Sequence, residues 1–207
     1  ACLWAGQEGS FWVWAILQGL SGMIVLMKAG TFRPQVMGIV SLSQFFLTSM
    51  LLGVRVMGLK IGSSPFALLR EMPEYAGETF FSDPNYVEQI ADGVGLNPLL
   101  ENPWMVSHPP VLFLGYALFL IPYAFALTAL WKKDYTGWIK PALPWVLAAL
   151  IFLGAGILLG GRWAYESLTF GGFWAWDPVE NASLVPWLVM AGALHLMLLA
   201  LKRKQQL

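Results

Sequence analysis

The chain has 207 residues, of which 57% are hydrophobic and only 12% charged, with a mean hydropathy of +0.63. A soluble domain carries roughly a quarter of its residues charged, so the composition excludes an ordinary soluble fold and points to the bilayer. The formal net charge is zero, which removes the electrostatic footprint of a nucleic-acid binder and leaves lipid as the expected surroundings.

Crossing a hydrocarbon core takes about 20 apolar residues, and five stretches qualify. The first spans residues 10–29. The segment ahead of it, Ala1–Ser10, lacks a basic start, so no secretory signal is expected there. A chain opening on Ala1 rather than Met reads as a piece of something longer. The lone cysteine, Cys2, excludes an internal disulfide framework and reads as a small apolar residue. The second span, 35–57, sets Ser41, Gln44 and Thr48 on one helical face, a pattern that polar helix–helix packing explains. Residues 58–110 form a long loop rich in turn residues. Within it, Glu71 to Asp92 carries six acids and no base and reads as a solvated excursion. Spans follow at 111–131 and 142–161, then a second long loop, 162–183, and a last span, 184–201. The predicted fold is all-α: a polytopic transmembrane helix bundle of about five spans, forming one domain over residues 1–207.

Basic residues orient such a bundle. Lys28, Arg33, Lys132, Lys133, Lys140, Lys202, Arg203 and Lys204 fall on one side; Arg55, Lys60, Arg70 and Arg162 fall on the other. The richer side is expected to be cytoplasmic, which places the N-terminus outside, the C-terminus inside and both long loops outside. Of the eleven Trp residues, most lie near helix ends and fit an interfacial aromatic belt.

The densest local pattern is Phe170-Gly171-Gly172-Phe173-Trp174-Ala175-Trp176-Asp177-Pro178-Val179-Glu180-Asn181-Ala182-Ser183. Asp177 as N-cap, Pro178 at the first helical position and Glu180 at the third make a capping box, so this half predicts a helix start. The other half is less ordinary. Gly171 and Gly172 permit turns or close approach to a bulky ligand, and Phe173, Trp174 and Trp176 gather aromatic surface at the water boundary. That surface suits either interfacial anchoring or stacking on a flat ligand such as haem.

Two histidines occur. His108 lies just before Pro109-Pro110 and the third span, where those prolines would stiffen its backbone. It reads either as a polar residue at an interfacial helix start or as an iron ligand. His195 lies deep inside the last span, at about 1.5 Å rise per residue. An ionisable group there is either bonded to a helix neighbour or functional.

The extended Trp-Ala-Trp-Asp-Pro-Val-Glu-Asn-Ala-Ser run, followed by Pro186-Trp187, resembles the "WWD" signature of haem-handling membrane proteins, in the form found in CcmF-type cytochrome c haem lyases. Leu3–Ser10, Ser64-Pro65-Phe66, Gly95–Leu100 and His108-Pro109-Pro110 resemble that family in the same order. Phe170 stands where the family has Trp, and the acidic stretch is longer.

The resemblance implies cytochrome c biogenesis, as part of a haem lyase (holocytochrome c synthase) complex. His108 would be one axial ligand of a transient substrate haem held against Gly171, Gly172, Phe173, Trp174, Trp176 and Asp177. The family's second outer ligand has no counterpart here. His195 would ligate a b-type haem whose opposite histidine lies elsewhere. Implied partners are apocytochrome c, a haem chaperone, thiol-handling subunits, and the rest of the polypeptide or a split-gene partner. The implied location is a bacterial cytoplasmic membrane with the Trp-rich loop on the periplasmic side, or the mitochondrial inner membrane. No catalytic acid or base is assigned, because capping accounts for Asp177. The rival readings are a haem handler that loads a chaperone and a non-haem transporter or structural subunit.

Overall fold

The structure is a computed structural model that describes residues 2–66, 68, 70, 75, 77, 79–90 and 95–205. Five helices dominate it: α1 (Gln7–Lys28), α2 (Arg33–Ser49), α3 (Pro103–Lys132), α4 (Ile139–Ser167) and α5 (Pro178–Gln205). Four of them, α1, α3, α4 and α5, are long and apolar enough to cross a membrane.

The helix expected over 35–57 stops at Ser49. Beyond it, Val54–Val56 (β1) pairs antiparallel with Leu59–Ile61 (β2), Val54 opposite Ile61 and Val56 opposite Leu59. The alternating Val-Arg-Val and Leu-Lys-Ile runs favour strands. Met57 and Gly58 turn with φ of 51° and 83°, the double left-handed geometry that matches hairpin twist. Hydropathy alone carries the second span through β1 to residue 57 and leaves β2 in the loop that follows.

Helix α3 starts eight residues before the expected 111. Asn102 caps it, its side chain accepting from Trp104 N at 2.8 Å, and Pro103 occupies the first turn. Pro109 and Pro110 therefore sit inside a helix instead of ahead of one. Pro109 has no N–H for the carbonyl of Met105 four residues back. The indole Nε1 of Trp4 donates to that carbonyl instead, at 3.0 Å. An apparent helix breaker thus becomes a tie between the N-terminal segment and α3.

The core is centred on α3 and α4. A Cβ on Gly115 would lie 2.5 Å from Leu153 Cα, and one on Gly156 would lie 2.7 Å from Leu112 Cα. Only glycine permits this separation, the small-residue packing by which apolar helices approach closely. Around the contact Leu118, Ile121, Phe125, Val146 and Ala149 are buried with Val25, Val36 and Val40 of α1 and α2. A polar clamp ties α1 to α2: Gln18 donates to Gln44 Oε1 at 3.1 Å, and Gln44 donates to the Ala15 carbonyl at 3.1 Å. Polar packing thus involves Gln44, whereas Thr48 bonds back to its own helix and Ser41 is exposed. Helix α5 packs chiefly on α4, and only 11% of its most apolar window is buried.

The helix ends separate the charges. At one end Lys132 donates to the Thr31 carbonyl and lies over the Phe32 ring. At the other, Trp163 Nε1 donates to the Leu99 carbonyl at 3.0 Å and Asn102 donates to Glu166 at 3.0 Å. These bonds hold residues 95–102 against the end that carries the aromatic loop. Glu71, Glu74, Glu78 and Asp92 of the acidic stretch lie outside the described residues.

Candidate functional site

Residues 168–177 join α4 to α5. The capping box forms as its sequence dictates: Glu180 N donates to Asp177 Oδ1 at 2.7 Å, and Asp177 N donates to Glu180 Oε2 at 3.2 Å. It also reaches further than the motif requires. Ala175 N donates to the same Glu180 carboxylate at 2.9 Å, and Asn181 Nδ2 donates to the Trp176 carbonyl at 3.1 Å. Trp176 is thereby pinned on both flanks in a left-handed conformation, φ 59°, which a bulky residue adopts only when its surroundings impose it.

The aromatic residues do not form one flat platform. Phe173 stacks on Tyr165 at 4.3 Å with planes 8° apart, while Trp174 and Trp176 meet edge to face at 5.9 Å. Trp176 is 69% exposed. Trp174 is half-buried, and its Nε1 is buried without a partner among the described residues, an unmet donor that a polar group of a ligand or a water could satisfy. Gly171 takes φ +70°, which favours glycine. Gly172 has ordinary space for a side chain and no such requirement.

His108 lies in the second turn of α3 and faces α4. Its Nδ1 is 2.8 Å from the Gly156 carbonyl. A carbonyl can only accept, so Nδ1 carries the proton, and neutral imidazole then presents an unprotonated Nε2. No hydrogen bond engages Nε2 among the described residues. The ring lies along Trp163, 6.2 Å between centroids and 21° between planes. It fits only because Gly160 lacks a side chain: a Cβ there would lie 2.6 Å from His108 Cε1. A cavity of about 110 Å³ opens beside it, with His108, Gly160, Trp163, Trp174, Asp177 and Ser183 among its walls.

The structure thus brings His108 of α3 together with Trp174 and Asp177 of the segment between α4 and α5. Gly156, Gly160 and Trp163 were not singled out from the sequence, although Gly156-x-x-x-Gly160 was a signal for close helix approach. His195 stands apart. It is exposed on α5, its Nδ1 2.8 Å from the Ala191 carbonyl, and its Nε2 is likewise uncommitted. Eighteen residues of helix separate it from Asp177, about 27 Å.

These features define a class: a multi-pass helical membrane protein with a capped, tryptophan-rich loop beside a semi-buried imidazole at one end of the bundle. The chain belongs to the family of the cytochrome c assembly protein, whose pattern it matches over residues 4–206. It is 38% identical over 207 residues to the cytochrome c-type biogenesis protein CcmF of Pseudomonas fluorescens, a match covering 98% of this chain and 28% of the relative. The corresponding protein of Escherichia coli K12 is 36% identical over 200 residues, covering 94% and 27%. A solved structure described as cytochrome c heme lyase CcmF superposes with a TM-score of 0.65 at 27% identity, over 95% of this chain and 27% of that one. The chain thus spans little more than a quarter of the length of these relatives.

Proposed function

We propose that the chain presents haem for covalent attachment to apocytochrome c, with His108 as one axial ligand of the substrate haem and the Trp174–Trp176 loop as its aromatic support. The observation that carries this reading is the His108 tautomer: the Gly156 carbonyl fixes the proton on Nδ1 and leaves Nε2 with the lone pair that iron needs. Haem as substrate brings an iron and two vinyl groups, across which the thiols of apocytochrome c add as thioethers. The protein's contribution is ligation, orientation and an unmet indole donor at Trp174.

The cavity fits a ligating edge better than an enclosing pocket. At about 110 Å³ it is smaller than the roughly 300–1,000 Å³ of pockets that engulf a ligand. The macrocycle would therefore be shared with further protein, in keeping with a chain that spans about 28% of its relatives.

His195 is proposed to ligate a second, b-type haem between α5 and that further protein. The exposure of the residue on a barely buried helix supports this. We place the four long helices and the shorter α2 in a bacterial inner membrane with the aromatic loop on the periplasmic side, because the basic residues gather at the other end. Apocytochrome c, a haem chaperone and thiol-handling subunits are the proposed partners.

The test uses the complete protein. His195→Ala should remove the b-type spectrum, while His108→Ala should preserve it and abolish cytochrome c maturation. Equal spectral loss from both would refute two sites. Purification without any Soret band would favour a transporter.

A further inference from the structure

The end of the bundle opposite the aromatic loop carries a second feature. Helices α1 and α4 both pack on α3 but scarcely on each other. Between them lies a groove of about 420 Å³ lined by Ile24, Lys28, Pro141, Pro144, Trp145 and Ala148. One cation, Lys28, is part of its otherwise apolar lining, and Lys140 neighbours the lining residue Pro141. Lys28 ends α1, with Ile24 one turn deeper; Lys140 stands exposed in the first turn of α4, with Ala148 two turns deeper. Neither lysine has an ion-pair partner among the described residues, where the single pair is Arg162–Glu166.

Acid is scarce at this end among the described residues. Lys28, Arg33, Lys132, Lys133, Lys140, Lys202 and Arg203 face only Asp134, whose carboxylate is occupied by Gly137 N at 2.7 Å. The start of α4 has no side-chain cap; Ile139 N donates to the Thr136 carbonyl and Ala142 N to that of Trp138, Pro141 has no N–H, and the Lys140 N–H with the helix dipole adds partial positive charge there. We infer that this groove binds one anionic phospholipid, its phosphate at Lys28, Lys140 and the α4 N-terminus and one acyl chain along Ile24, Pro144, Trp145 and Ala148.

Extent argues for a lipid over a further helix. The lining covers one turn of α1 and about two turns of α4, roughly 6 to 10 Å along the axis. A crossing helix would need a seat along most of the hydrocarbon thickness, about 30 Å. Two lysines beside a short apolar slot match one headgroup and the upper part of its chain.

The test is lipid binding by the purified full-length protein, titrated with dioleoyl phosphatidylglycerol and dioleoyl phosphatidylcholine and read by native mass spectrometry. Phosphatidylglycerol should bind about tenfold or more tightly, because each lysine near the phosphate favours it. Lys28→Gln with Lys140→Gln should reduce that preference to about threefold or less. Ala148→Trp, which fills the slot without altering charge, should weaken both lipids. Equal binding of the two lipids, or an unchanged preference in the double Gln variant, would overturn the proposal. So would a photo-crosslinker at Ala148 that labels protein instead of lipid.

Discussion

Gly160→Ala is the sharpest perturbation of the proposed haem-presenting site, because the added atom has one predominant neighbour. A Cβ there would sit 2.6 Å from His108 Cε1 and 2.9 Å from Nδ1, against an ordinary carbon contact of about 3.5–4.0 Å. The ring must retreat by about 1 Å, and α4 cannot yield easily because Gly156, one turn away, already touches the α3 backbone. Overpacking of this kind costs about 1–3 kcal/mol. Displacing the 2.8 Å bond from Nδ1 to the Gly156 carbonyl costs about 1 kcal/mol more. The tautomer is then no longer fixed and Nε2 is no longer aimed. The assay is haem captured at the proposed outer site per inserted protein, with the haem proposed at His195 as an internal folding control. Capture should fall by about tenfold or more, since 1.4 kcal/mol is a factor of ten, with that control retained. Gly19→Ala, where no heavy atom lies within 4 Å of the added Cβ, should leave both signals unchanged. Wild-type capture by a fully inserted Gly160→Ala protein would refute the positioning of His108 by α4.

Three further outcomes follow from the loop and the charge distribution. Glu180→Ala removes the carboxylate that accepts from both Ala175 N and Asp177 N; it should loosen the loop by about 1–2 kcal/mol, read as faster amide exchange at 175–177, whereas Asp177→Asn should be mild because Asn also caps. Trp174→Ala with Trp176→Ala should insert normally and keep the haem proposed at His195 but lose the one proposed at the loop; full capture would make the loop an anchor. Cysteines placed at Ser82 and Ser167 should react with an impermeant thiol reagent from outside, and one at Thr136 should not; labelling at Thr136 alone would invert the orientation.

Much of the architecture was legible because it rests on local chemistry. Asp177, Pro178 and Glu180 announced the start of α5, and its capping bonds form as that spacing requires. What local chemistry could not show was which donor satisfies the carbonyl that a proline leaves without a partner. Pro109-Pro110 signalled a boundary, yet the helix runs through both, and the Trp4 indole, about 100 residues away in sequence, satisfies the Met105 carbonyl that Pro109 leaves unpaired. The hairpin at 54–61 was lost because Val, Met, Leu and Ile score as apolar in any secondary structure. For the candidate site, residue types pointed to His108 and the aromatic loop. Its assembly depended on the α3–α4 contact, where glycines matter by what they lack, and no periodicity reports that. The edge-to-face meeting of Trp174 and Trp176, and the turning of Phe173 onto Tyr165, are likewise tertiary outcomes.

The capping box has a mechanical consequence. Because Glu180 and Asn181 grip the backbone from Ala175 to Asp177, the C-terminal half of the aromatic loop is the rigid tip of α5 and not a tether. That helix runs about 27 Å from Asp177 to His195, little buried over its most apolar stretch and tied to α4 by the Trp187 indole, which donates to the Leu150 carbonyl at 2.9 Å. A tilt of about 5° pivoting at His195 would swing Trp176 by roughly 2 Å, comparable to the offset between a stacked and an unstacked ring. Whatever packs against the exposed flank of α5 near His195 would therefore bear on the aim of the Trp176 indole.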